Sequence, residues 1–235
     1  MRRPIFIFGT QRSGSTLLTE LLFHLGRDAL EYKNCLMEVF GYFENESLID
    51  YRKRINIVLD MCFAGNYCFK IFPEHYLMAK KHLGIDLIQL LSVKYDIVYI
   101  ERKNRWNQFM SILAHQNTHD SGYAIDDVEL EKVTTIKYTK SLRVWTQKNL
   151  YDYYVTKEQY QSKYQTVYFE ELTQSENKLD FLNKIFMVAS NVPNIEIKSN
   201  KVRYEGDVID LVENKDQLLQ DKEKIIAELT SLKIY

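Results

Sequence analysis

The chain has 235 residues, with 31 basic and 32 acidic side chains and 46% hydrophobic residues. That length supports one substantial core, expected as a single α/β domain over 1–235. Nothing in this near-neutral balance suggests nucleic acid, or an anionic membrane, as the main partner. No stretch reaches the roughly 20 apolar residues of a membrane span, and the apolar run in the opening MRRPIFIFG is too short for a signal peptide. Cys35, Cys62 and Cys68 lack metal-ligand spacing and are too few for a disulfide framework, so they read as reduced core thiols of a cytoplasmic protein.

Ile5 to Phe8 form a continuous apolar run that suits a strand buried on both faces. Gly9 and Gly14 bracket a polar turn, and Ser15 and Thr16 open a helix with Leu17, Leu18, Leu21, Leu22 and Leu25 on its apolar positions. Strand, glycine-bracketed loop and helix N-terminus together make a phosphate cradle, in which inward N–H groups and the helix dipole favour an anion. The spacing Gly9-x4-Gly14-Ser15-Thr16 is nearly that of a nucleoside-triphosphate P-loop. Ser15 occupies the position of its lysine, and the loop's cation is Arg12.

Gly26 is a plausible C-cap, and Arg27 to Glu46 reads as a loop with at most one helical turn. Glu46 to Phe63 reads as a helix whose core stripe includes Leu48, Ile49, Ile55, Val58, Leu59 and Cys62. Tyr67 to Phe72 is a second buried strand, stopped by Pro73. Lys70 within it needs a partner for its charge, such as an anionic ligand, because burying a lone ammonium is costly; His75 follows the strand's end. One or two short helices over 74–94, broken near Gly84, lead to a third strand, Asp96–Ile100, and a helix to about His115. A metal reading of His115, His119 and Asp120 lacks a further ligand. Asp126 to Tyr160 reads as helical, with Leu142, Trp145, Leu150, Tyr153 and Tyr154 packing on the sheet or shaping an acceptor pocket. Thr166–Phe169 is a fourth strand, a helix follows near 177–187, and a basic loop carries Lys198, Lys201 and Arg203 ahead of a last helix ending near Leu229. The expected architecture is therefore a P-loop-like three-layer α/β domain, with a mainly parallel sheet of four or five strands and helices on both faces.

Gln11-Arg12-Ser13-Gly14-Ser15-Thr16-Leu17-Leu18 resembles the R-S-G-[ST]-T-L-L loop of sulfotransferases that use 3′-phosphoadenosine 5′-phosphosulfate (PAPS). The resemblance is to the bacterial carbohydrate-type and Golgi-type branch. It implies that Gln11, Arg12, Ser13, Gly14, Ser15 and Thr16 hold the 5′-phosphosulfate. ERKNRWNQFMS resembles the second signature of that family, implying that Arg102 and Ser111 bind the 3′-phosphate; Lys103 fits an alternative spacing, but the guanidinium fork favours Arg102. Asp207–Asn214 resembles its C-terminal segment, implying that Lys201 and Arg203 in the loop before it close over the nucleotide. Glu38-Val39-Phe40 matches a family segment whose glutamate is a candidate base, and desolvation by Phe40, Tyr42 and Phe43 would raise its pKa. His75 is the competing base, and Lys70 a candidate to assist transfer. The resemblance implies transfer of a sulfuryl group to a hydroxyl or amine of a small-molecule, carbohydrate or lipid acceptor, with 3′,5′-ADP as product and no metal. A P-loop nucleoside or nucleotide kinase, with Glu101 holding magnesium, and a non-catalytic nucleotide-binding protein are the alternatives.

Overall fold

The computed structural model describes residues 3–43, 45–118, 136–187 and 208–232. They fall into two compact units, Met1–Glu101 with Val155–Glu196, and Arg102–Tyr154 with Ile197–Tyr235.

The first unit is built on a five-stranded, all-parallel sheet in the order β2-β3-β1-β4-β5. Its strands are β1 (Ile5–Gly9), β2 (Tyr32–Leu36), β3 (Asn66–Ile71), β4 (Asp96–Glu101) and β5 (Val167–Tyr168). Every residue of β1 is buried, as the unbroken apolar run requires of a strand covered on both faces. Side chains alternate about the sheet. Cys68 faces helix α1 (Ser15–Ala29), where its thiol donates to the Thr19 carbonyl at 3.3 Å. Phe69 points the other way and joins Phe6, Phe40 and Tyr95 in an aromatic layer. Helix α8 (Lys178–Phe186) packs beside α1. Helix α2 (Leu48–Ala64), capped by Ser47 accepting from Asp50 N–H, buries Tyr51, Ile55, Val58, Leu59 and Cys62. After β3 come α3 (Pro73–Met78), one π-helical turn (Ala79–Leu83) and α4 (Leu87–Leu91), with Gly84 left-handed at the break between them.

Four local expectations are corrected. Gly26 does not cap the first helix: α1 runs on to Ala29, and the Leu30 N–H at its end donates to the Gly26 carbonyl. The stretch 27–46 contains β2, an edge strand of which only Tyr32 is fully buried. Leu48 and Ile49 are exposed rather than core, because the helix meets the protein through the stripe that starts at Tyr51. Phe169 does not extend β5 but opens helix α7 (Phe169–Gln174).

The described residues of the second unit are mainly helical. Helix α5 (Arg105–Thr118) packs on α9 (Lys215–Ser231) and on a short turn, Val208–Leu211. Helix α6 (Lys140–Gln159) is divided between the two units. Leu142, Leu150 and Trp145 pack with Phe109, Leu113, Leu218, Ile225 and Leu229 in this helical core. A parallel bridge pairs Ile136 with Val212, and the Asn214 side chain bonds both the N–H and the carbonyl of Tyr138. Among the described residues, no helix is long and apolar enough to cross a membrane.

Candidate functional site

The chain leaves β1 through Gly9, which lies opposite Ile100 at the carboxyl end of β4. β1 connects towards β2 on one side of the sheet, and β5 lies beyond β4 on the other. Divergence at the carboxyl ends of two neighbouring parallel strands makes a crevice where ligands bind in open α/β sheets.

The Gly9–Thr16 loop is held by its own atoms. Ser13 is fully buried; its hydroxyl donates to the Thr10 carbonyl at 2.7 Å and its N–H to the same oxygen at 3.3 Å. A side chain at Gly9 would meet Ile100 at 2.6 Å. Gly14 has φ 90, and a Cβ there would lie 2.2 Å from the Phe169 ring. Arg12 also has positive φ, at 58, an uncommon conformation for a residue with a side chain. Burial lowers the pKa of its guanidinium from the ordinary arginine value. Gln11 turns aside to donate to Glu74 Oε1 at 2.9 Å, tying the loop to α3. Helix α1 then begins with no side-chain cap and no acidic residue in its first turn, which leaves its positive end suited to an anion.

Lys70 comes to this junction from β3. Its ammonium donates to Thr16 Oγ1 at 2.7 Å and pairs with Glu38 Oε1 at 2.9 Å. A lysine thus reaches the end of the loop from the neighbouring strand β3 rather than from position 15. Lys70 and Thr16 are 54 positions apart in sequence, and the only sign of their meeting was an apolar strand interrupted by one cation.

Glu38 stands at the start of a turn in which Gly41 N–H donates to its carbonyl at 3.0 Å. It too has positive φ, at 49. The rings expected to desolvate it have other partners: Phe40 packs on Phe69, Tyr42 on Tyr51, and Phe43 lies under the Arg54 guanidinium at 4.1 Å. Half of the Glu38 side chain, 51%, is exposed. Arg54 of α2 organises this segment. It pairs with both carboxylate oxygens of Glu46 at 2.8 Å and donates to the Val39 and Gly41 carbonyls. Sequence reasoning missed Arg54 because Arg52-Lys53-Arg54 on an amphipathic helix looks like a solvated basic face. The bidentate pairing also holds the Glu46 carboxyl below the usual carboxylate range.

His75 lies beneath the same turn. Its Nδ1 accepts from Phe72 N–H at 3.4 Å, and its Nε2 would lie 3.2 Å from a Cβ added at Gly41. Burial pulls its pKa down to about 4, assisted by Lys70 and Arg54 and opposed by Glu38. The imidazole thus has its Nδ1 on a backbone donor and is held neutral near pH 7, while the neighbouring Glu38 is the more exposed of the two candidate bases.

Glu101, at the end of β4, is buried and pairs with Lys157 at 2.6 Å; Lys157 also donates to Thr166 Oγ1 at 2.8 Å. Its charge is thereby used within the protein. In the second unit, Arg102 immediately precedes the segment that opens α5, and Ser111 lies about two turns along that helix. Arg105, which the sequence reading did not single out, is buried, donates to Gln108 Oε1 at 2.9 Å and bonds the Tyr154 hydroxyl. Lys198, Lys201 and Arg203 lie outside the described residues, as do His119 and Asp120.

The described residues define a three-layer α/β fold with a glycine-bracketed loop between a central parallel strand and the helix that follows it. No protein-family model, curated protein or solved structure matches the chain.

Proposed function

We propose that the chain moves a sulfuryl group from PAPS to a hydroxyl or amine of a small-molecule, carbohydrate or lipid acceptor. The observation that carries this reading is the meeting of Lys70, Thr16 and Glu38 at the end of the Gly9–Thr16 loop. It brings the end of the Gly9–Thr16 loop, a lysine and a half-exposed carboxylate side by side. When bound, PAPS supplies the activated sulfuryl group. Glu38 takes the acceptor proton as the acceptor oxygen or nitrogen bonds to sulfur and the bond from sulfur to the 5′-phosphate oxygen breaks. Arg12, the loop N–H groups and Lys70 balance the charge that gathers on the departing 3′,5′-ADP. A transferring sulfuryl group carries less charge than a γ-phosphoryl, so arginine, lysine and backbone donors suffice for this role. Arg102 and Ser111 are proposed for the 3′-phosphate, with Lys201 and Arg203 as further nucleotide contacts.

Calorimetric titration with 3′,5′-ADP, 5′-ADP and ATP tests the reading without knowledge of the acceptor. 3′,5′-ADP is expected to bind at least tenfold tighter than 5′-ADP, a gap of about 1.4 kcal/mol. Equal affinities remove the case for PAPS, and magnesium-dependent preference for ATP points to a kinase instead. Tight 3′,5′-ADP binding with no transfer to a broad acceptor panel would indicate a nucleotide-binding protein without turnover.

A further inference from the structure

We propose that Cys35 and Cys68 form an oxidisable dithiol, which a peroxide converts to a disulfide across β2 and β3. The inference is independent of sulfuryl transfer. The two cysteines are directly opposed in the parallel ladder. Directly opposed residues on neighbouring strands have Cα atoms about 4.8 Å apart, inside the span of about 4.4–6.8 Å that a disulfide bridges. Cys68 is buried, whereas Cys35 is only half-buried and open to a small oxidant. The third cysteine, Cys62, is buried on α2 beside the Tyr95 hydroxyl.

The environments divide the labour. The neighbouring Cys68 thiol lowers the pKa of Cys35 from its ordinary value; Lys70 adds to this, while burial and Glu20 on α1 oppose it. Burial pushes the Cys68 thiol well up. Cys35 is therefore the sulfur that ionises and attacks, and Cys68 the one that resolves. In the first step the Cys35 thiolate attacks peroxide: an S–O bond forms, the O–O bond breaks, and hydroxide leaves to be protonated. Cys68 sulfur then attacks the Cys35 sulfenic acid: the S–S bond forms, the S–O bond breaks, and the Cys68 proton departs with the hydroxyl as water. Two thiols lose two electrons in all, and one peroxide becomes two waters. Beyond Cys35 the chain runs to Glu38, and beyond Cys68 to Lys70, so the bond ties together the two segments that carry that ion pair.

The full chain is treated with hydrogen peroxide, denatured, alkylated and mapped by mass spectrometry without reduction. The expected result is a peptide pair joining Cys35 to Cys68 that lacks two hydrogens, with Cys62 alkylated and the link reversed by dithiothreitol. Cys62→Ser leaves the link intact, and Cys35→Ser leaves Cys68 alkylated. The proposal is overturned if all three thiols remain alkylatable, if Cys35 stops at a dimedone-reactive sulfenic acid while Cys68 is alkylated, or if the link involves Cys62 or a second chain. The mapping uses the unaltered protein, so it does not depend on either variant folding.

Discussion

Lys70 and Glu38 form an ion pair with unequal solvation: the lysine side chain is 3% exposed and the glutamate 51%. Removing one partner therefore differs from removing the other. Glu38→Ala leaves a buried ammonium with only Thr16 of the two partners described above, whereas Lys70→Met leaves a carboxylate that water can solvate. Glu38→Ala is expected to destabilise the protein by about 2 kcal/mol and Lys70→Met by about 1 kcal/mol or less. Urea denaturation of both variants at pH 7 checks the order; the reverse order would mean that Lys70 is not the buried member of the pair in solution.

Gly14 is expected to resist substitution for two reasons, its positive φ and the Phe169 ring where a Cβ would go. Gly14→Ala should cost more than about 1 kcal/mol and abolish 3′,5′-ADP binding. Phe169→Ala added to it relieves the contact but not the backbone strain, so only part of the stability returns. Thermal melts with and without nucleotide read both effects; wild-type behaviour in the single variant would show that the loop adopts another shape.

His75 makes stability depend on pH. Its folded pKa of about 4 lies below the ordinary 6.5, so the unfolded chain binds the proton more readily. The stabilisation from keeping it neutral is complete above about pH 6.5, shrinks as pH falls, and is lost by about pH 4. The shift corresponds to about 3 kcal/mol over that window. Nuclear magnetic resonance of the imidazole should show a neutral ring at pH 5; an ordinary titration midpoint would place His75 at the surface.

Arg12 and Arg102 are predicted to have separable effects. Arg12→Ala should reduce turnover by about 10²-fold, and Arg12→Lys should recover part of it, restoring charge without the fork. Arg102→Ala should instead erase most of the preference for 3′,5′-ADP over 5′-ADP. Steady-state kinetics with an identified acceptor and nucleotide titrations separate the two; an Arg12→Ala variant with normal turnover would misplace the reacting group.

Arg54→Met tests the clamp on the Glu38 turn. Losing the Glu46 pairing and the two carbonyl contacts should release the 38–46 segment, with faster amide exchange at Gly41 and little change in 3′,5′-ADP affinity. Unchanged exchange would show that Tyr51, which donates to the Phe40 carbonyl at 3.2 Å, holds the turn alone.

What could be read from the residues followed from how local the cause was. The unbroken Ile5–Phe8 run and the Gly9–Gly14 spacing are local, and β1, its loop and α1 were legible from them. β2 was not: Lys33 and Asn34 are exposed on an edge strand, so neither alternation nor an apolar run marks it. Lys70 was recognised as a charge in need of a partner, but Glu38 as that partner depends on the β2–β3 pairing. The contact between Gly14 and Phe169 is more remote still. It arises because the chain returns through β5 to the β4 edge, and no property of Phe169 itself announces it.

The central position of β1 has a further consequence for how the protein is made. β1 leaves the ribosome before either of its sheet partners, yet it pairs Phe8 with Ile71 on one side and Ile5 with Asp96 on the other. Until β4 has emerged, IFIF is an apolar strand with at least one open edge, and its pairings close long loops that slow folding. Nascent chains stalled before residue 96 therefore expose the same segment that later sits deepest in the sheet, and this interval is when a holding chaperone would matter most.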